Sequence, residues 1–211
     1  MEQRSFKRKN ELIEAALDEF TAKNYENASL NVILKNAGIS KGTFYYHFQD
    51  KQAFYVFLLE SAHKTECKFI NNHMKERIND FKEKDIFERF KLQVQIAYEF
   101  AVAFPKYFKL GIMFRKERGT EIYEYAKNII ERNKESWLEE KIKKAIKDGD
   151  FNNRFSEDFI VKIINYMVFH FNEIFDEEED YKMEKMHENA SNLADFLKYG
   201  FGNNNYVIEH V

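Results

Sequence analysis

The stretch Ala37-Gly38-Ile39-Ser40-Lys41-Gly42-Thr43-Phe44-Tyr45-Tyr46-His47-Phe48, followed by Asp50-Lys51 after one intervening residue, decides how this chain is read. Gly38 can end a short helix with a tight turn, and Ser40, two residues on, is a good N-cap for the next. Working backward, Ser29 offers the cap of the first short helix, whose inward face is Leu30, Ile33, Leu34 and Ala37. Two short helices joined this closely must cross steeply, which is the helix-turn-helix arrangement. Further back, Ile13, Ala16, Leu17 and Phe20 recur at helical spacing and predict a helix from about Ser5 to Lys23. Asn24, which tolerates the left-handed conformation, would stop it.

The helix from Lys41 to about Phe48 is defined by what it leaves outside. Phe44 and Phe48 lie four apart and can both point inward, which turns Gly42, Thr43, Tyr45 and Tyr46 outward with Lys41 and His47 on the flanks. A merely solvated face more economically carries Glu, Lys and Ala. Glycine within a helix costs ~1 kcal/mol against alanine, a cost that makes sense at Gly42 if another backbone approaches closely there.

Working forward, Asp50 caps a long helix to about Lys75 that carries Phe54, Phe57, Leu58 and Ser61 on one face. A charge-mixed stretch, Lys75 to Lys84, separates it from a repeat of Phe87, Phe90, Val94, Ala97, Ala101 and Phe104. Pro105 suits the first turn of the next helix. Gly119 precedes a long pattern, Ile122, Ala126, Ile129, Trp137, Leu138, Ile142 and Ala145, which Gly149 ends. Ser156 caps a helix running towards Phe175 that is apolar over most of its circumference, and the final helix carries Met183, Met186, Ala190, Leu193 and Leu197 as a stripe. Such a pair can meet its copy in a second chain, giving a two-fold four-helix interface through Phe159, Ile163, Tyr166, Met186, Ala190, Leu193 and Leu197. Burial of the stripe within one chain is the alternative.

The composition agrees with an all-α fold of about nine helices. One proline and seven glycines in 211 residues are too few for the turns of a β-sandwich or barrel, while 33% charged and 44% hydrophobic residues suit amphipathic helices. The expected division is a three-helix helix-turn-helix domain over 1–50, a C-terminal helical ligand-binding and dimerisation domain over 51–200 reached through the connecting helix 51–75, and a loose tail over 201–211. A single cysteine offers neither an internal disulfide nor a zinc site, which points to a reducing compartment. No apolar run approaches the ~18 residues of a membrane span, and the polar start lacks a secretory signal, so a cytoplasmic protein with no membrane partner is expected.

The net charge is −3, but residues 1–51 hold eight Lys/Arg against seven Asp/Glu and the remainder 25 against 29. Bulk charge does not announce nucleic-acid binding; its distribution places any such contact at the N-terminal end, where Arg4, Lys7, Arg8 and Lys9 crowd together, far from the acidic run Asp176 to Asp180. Whether this basic arm reaches DNA or is a frayed, solvated terminus stays open.

The quoted stretch, with the first helix face ending at Phe20, the following Tyr25 and the Ser29 cap, resembles the DNA-binding region of the TetR family of bacterial transcriptional regulators over about the first 60 residues. The resemblance implies a homodimeric regulator that binds double-stranded operator DNA, most simply a palindromic site, and is released as a repressor by a small-molecule effector. It places the DNA contacts on Ser29, Ser40, Lys41, Gly42, Thr43, Tyr45, Tyr46, His47 and Lys51. The chemistry agrees: hydroxyls and lysines suit phosphate oxygens, and Thr43 and Tyr45 are placed to touch base edges, with Tyr46, His47 and Lys51 assigned mainly to phosphate. Leu34 stands where the family usually has alanine, and Asn24 where glycine is common. An architectural DNA-binding protein of the same fold, without an effector, is the alternative.

Catalytic and metal signatures are weak, and no cofactor is expected. There is no phosphate-cradling glycine loop and no Gly-x-Ser-x-Gly elbow; His63 and Cys67 share a helix face, but two ligands do not close a metal site. Tyr98, Phe104, Phe108, Met113, Phe114, Tyr123, Trp137, Phe169 and His170 are the candidates to line an effector pocket, whose aromatic and methionine-rich wall would suit a hydrophobic or aromatic ligand. The same residues are also what an ordinary core contains.

Overall fold

The predicted periodicities are realised as helices in a computed structural model, which describes residues 8–79, 84–130, 134–175 and 181–202. In chain order the helices are α1 (Lys9–Ala22), α2 (Leu30–Ala37), α3 (Lys41–His47), α4 (Lys51–Glu76), α5 (Ile86–Ala103), α6 (Pro105–Lys116), α7 (Glu121–Ile130), α8 (Lys134–Asp148), α9 (Glu157–Phe169), α10 (Phe171–Ile174) and α11 (Met183–Phe201). Among the described residues, extended pairing is limited to one isolated bridge, Phe151 with Gly202. Packing divides the chain into two units, one of residues 1–69 with 100–132, the other of residues 70–99 with 133–211. In the first unit α6 and α7 pack with the N-terminal helices.

The first unit is organised around α1, which buries Leu12, Ala16, Leu17 and Phe20 against Ile33, Leu34 and Ala37 of α2, Phe44 of α3, and Phe54 and Leu58 of α4. Leu110, Ile122 and Ala126 from α6 and α7 complete the same core. Pro105 occupies the first turn of α6, where its missing N–H has no bond to lose. Next to it, Lys106 ties α6 to α1 through Glu14 and Asp18, at 2.8 and 2.6 Å. The stop of α1 differs from expectation. Lys23 is extended, and Asn24 accepts the Asn27 N–H on its side-chain oxygen at 3.1 Å, so a side-chain turn replaces a left-handed residue. Among the described residues the left-handed non-glycine residue is Arg8, at φ 70°, just before α1. Its guanidinium donates to the carbonyls of Gly38 and Ala37, at 3.0 and 3.4 Å.

In the second unit Ile142 and Ala145 of α8, Ile160 and Ile164 of α9, and Leu193 and Leu197 of α11 enclose a core with Phe87 and Phe151. Ser156 caps α9 by accepting the Phe159 N–H at 3.3 Å. The single apolar helix expected to run to Phe175 is interrupted at His170, which donates its backbone N–H to the Tyr166 carbonyl and leads into the short α10. α11 continues through Gly200 to Phe201, whose carbonyl accepts the Asn152 N–H at 2.9 Å, so Phe201 and Gly202 are pinned rather than part of a tail. The rest of the predicted tail, the acidic run and the basic residues Arg4 and Lys7 lie outside the described residues. Lys198 fastens α11 to the start of α5 through Glu88 and Asp85, at 2.8 and 3.1 Å, and these two carboxylates raise its pKa well above the ordinary lysine range.

Candidate nucleic-acid interface

Local chemistry fixes the helix pair one residue at a time. Ser29 accepts the Val32 N–H on its hydroxyl at 3.4 Å, while its own N–H donates to Glu19 at 2.9 Å. Glu19 also meets Lys23 at 2.8 Å, and that ammonium, ahead of the Ser29 bond, holds the Glu19 carboxyl below its usual range. Gly38 closes α2 in the left-handed conformation, φ 64° and ψ 39°, which a residue with a Cβ adopts only with strain. Ser40 then caps α3 by accepting the Thr43 N–H at 3.1 Å, and the Ser40 and Thr43 hydroxyls lie 2.9 Å apart.

α3 is anchored by aromatic packing on its inner side. Phe44 is completely buried and meets Phe54 edge-on at 5.5 Å, and Phe48 packs on Phe54 at 4.6 Å. The other side stands in solvent: Tyr45 and Tyr46 are 55% and 74% exposed, Lys41, Gly42 and Thr43 are exposed, and His47 is half-buried against the edge of Tyr46. α2 adds exposed Asn31, Val32, Lys35 and Asn36, which the sequence reading did not include. Asp50 accepts the Ala53 N–H at 2.7 Å and so caps α4.

Lys51 departs from its expected role. Its Nζ lies 2.8 Å from the Tyr25 carbonyl, 3.2 Å from that of Ala28, 3.4 Å from that of Glu26, and 4.3 Å from the centre of the Tyr25 ring. An ammonium has three N–H donors, and these three carbonyls match them, so Lys51 braces the loop between α1 and α2 instead of reaching out to phosphate. The same loop is gripped from another side by Glu117, a buried carboxylate at the end of α6, which accepts the Tyr25 N–H. Burial pushes the Tyr25 phenol up to about 12, with Asp50 and Glu26 adding to the shift, and burial raises Tyr55 beside it. Glu117 carries no local sequence signal, because its partner lies 92 residues away.

The remaining candidates fall in both units. Phe104, Phe108, Met113, Phe114 and Tyr123 belong to the first unit, where Phe114 stacks on a buried Tyr123 at 4.9 Å; Tyr98, Phe169 and His170 belong to the second. Trp137 lies on α8 with its side chain outside the described residues. His170 stacks on Tyr166 at 4.1 Å, its Nδ1 lying 2.9 Å from the Tyr166 carbonyl, and so serves the helix break. Of the predicted interface, Phe159 and Tyr166 are exposed, and Ile163, Met186 and Ala190 are half-buried. Leu193 and Leu197 are instead buried in their own unit's core. The exposed apolar side of α11 is Phe196 and Tyr199, 60% and 62% exposed, which the stripe reading passed over. On α4 the Cys67 Sγ lies 3.6 Å from the His63 Nε2; among the described residues no group of three or more His, Cys, Asp or Glu could hold a metal ion, and no helix is long and apolar enough to cross a membrane.

Two capped short helices, with a buried phenylalanine pair behind and a polar, tyrosine-bearing side in front, define a helix-turn-helix module of the kind found in transcriptional regulators. Residues 12–56 match the family described as bacterial regulatory proteins, tetR family. The chain is 26% identical over 117 residues to the uncharacterized HTH-type transcriptional regulator YdgC of Bacillus subtilis (strain 168), a match that spans 56% of this chain and 59% of that relative. The fold is shared with a TetR family transcriptional regulator from Chloroflexus aurantiacus J-10-FL, at 19% identity and TM-score 0.59 over 93% of this chain and 94% of that one. It is shared equally with the fatty acid degradation regulator FadR from Bacillus halodurans, at 17% identity and TM-score 0.61 over 90% and 96%. Residues 12–56 thus match the DNA-binding region of the TetR family, and the chain shares the fold of solved TetR-family regulators.

Proposed function

We propose that this chain is a repressor that binds a palindromic operator as a homodimer, inserts α3 into the major groove of each half-site, and is released by a hydrophobic or aromatic small molecule. The observation that carries the DNA reading is the outer side of α3: two tyrosines, a threonine, a lysine and a glycine stand in solvent on a helix whose phenylalanines are buried. Gly42 adds support from sterics. A Cβ built there meets nothing nearer than the Ser40 hydroxyl, at 3.9 Å, so among the described residues nothing requires glycine, whereas a DNA backbone lying against α3 would. In this reading Ser29, Ser40, Lys41, Tyr46 and His47 hold phosphates, Gly42 permits the approach, and Thr43 and Tyr45 touch base edges. Pairing of two copies through the exposed Phe159, Tyr166, Phe196 and Tyr199 would supply the two α3 helices that a palindrome with half-sites ~34–36 Å apart requires.

The test is a fluorescence-anisotropy titration of the full chain against a labelled duplex from upstream of its own coding sequence, repeated across a salt series. A complex whose affinity falls steeply with salt, and which needs both half-sites, is expected. Binding that ignores sequence would favour an architectural role, and no complex at low salt would end the proposal.

A further inference from the structure

We propose that Glu117 is a positioning residue for the helix-turn-helix: by holding the Tyr25 N–H, its carboxylate sets the α1–α2 loop from which α2 and α3 are hung. The inference rests on the DNA-binding reading above and concerns a residue outside the helix-turn-helix itself. Lys23 to Ser29 form a short irregular segment whose backbone polar groups need partners if they are to lie against the core. Asn24 serves one from within the segment, and three side chains from outside it serve others. Glu19 of α1 takes the Ser29 N–H, Lys51 of α4 takes the carbonyls of Tyr25, Glu26 and Ala28, and Glu117 takes the Tyr25 N–H. Tyr25 is thus held at both its N–H and its carbonyl, while its ring lies between the Lys51 ammonium and Tyr55.

Glu117 is only 4% exposed, and burying a carboxylate is costly unless hydrogen bonds compensate. The turn that presents it is built for the purpose. Glu117 follows the last residue of α6, Thr120 returns both its N–H and its hydroxyl to the Glu117 carbonyl at 3.0 and 2.7 Å, and Gly119 between them sits at φ 84°. By contrast, another tie between α6 and the N-terminal helices, Lys106 with Glu14 and Asp18, joins exposed side chains and is worth little by itself.

Three variants of the full chain separate positioning from bulk stability: Glu117→Ala, Glu117→Gln, which keeps an acceptor oxygen, and Lys106→Ala as the control on the same helix. Removing the acceptor orphans a partly buried N–H, so Glu117→Ala is expected to weaken binding to the upstream duplex by about tenfold or more, with Glu117→Gln restoring most of it and Lys106→Ala staying within about twofold. Hydrogen exchange without DNA provides the readout that a purely structural role would not move. In Glu117→Ala the amides of Tyr25 to Ser29 should lose protection while those of Leu12 to Phe20 keep theirs. Loss of protection in both segments together, an unchanged loop, or a Glu117→Gln chain as impaired as Glu117→Ala would each overturn the inference. If wild type fails to bind the duplex while the exchange pattern appears, the DNA-binding reading fails and the loop brace stands.

Discussion

Lys51 and Lys41 carry the same charge, ten residues apart, and the structure sets them in different surroundings. Lys41 is exposed at the start of α3, whereas the Lys51 ammonium is aimed at three carbonyls. The salt dependence of binding separates the two roles, since each phosphate neutralised contributes ~0.9 to the slope of log affinity against log salt. Lys41→Ala should flatten that slope by about one unit and leave thermal stability unchanged. Lys51→Ala should weaken binding at every salt concentration with the slope retained, and should lower the melting temperature of the free protein. A flattened slope for Lys51→Ala would return it to the phosphate contacts. Thr43→Val, which keeps shape and loses the hydroxyl, should shift preference among operator variants more than overall affinity.

At the scale of elements, what is encoded within four or five residues was legible in the sequence. Ser29, Ser40, Asp50 and Ser156 all cap the helices they were expected to cap, and Gly38 adopts the left-handed turn its position required. Contacts between distant segments left no such trace. Nothing near Glu117 announces Tyr25, and the stripe on α11 identifies an apolar side without naming its neighbour, so the sequence leaves both a second chain and the unit's own core open for Leu193 and Leu197, which the structure buries in the core. The stop of α1 gives a pH test. Because Glu19 titrates below its ordinary value of 4.5, it contributes stability that is fully present above that pH and is lost as the pH falls through the lower folded value. Glu19→Gln should therefore be less stable than wild type at pH 7 in urea denaturation, with the gap closing under acid conditions. A gap that persists unchanged into acid would mean the carboxylate's charge is not what matters.

For the whole molecule, the exposed and buried sides of α11 predict different failures. Leu197→Asp buries a charge in the core of its unit and should cost on the order of 4 kcal/mol or more, seen as loss of the cooperative thermal transition. Phe196→Glu with Tyr199→Glu alters side chains already in solvent, so a folded chain of monomeric mass is the expected result in light scattering. A dimer that survives the double substitution would move the contact elsewhere. Cys67, the one cysteine of the sequence and exposed on α4, has a practical consequence. The wild-type chain already offers a single thiol handle, so a maleimide dye or nitroxide can be attached without any engineering. In a paired assembly the two probes would form a symmetric spectroscopic ruler across the twofold axis, reporting how adding duplex or a candidate effector changes their spacing.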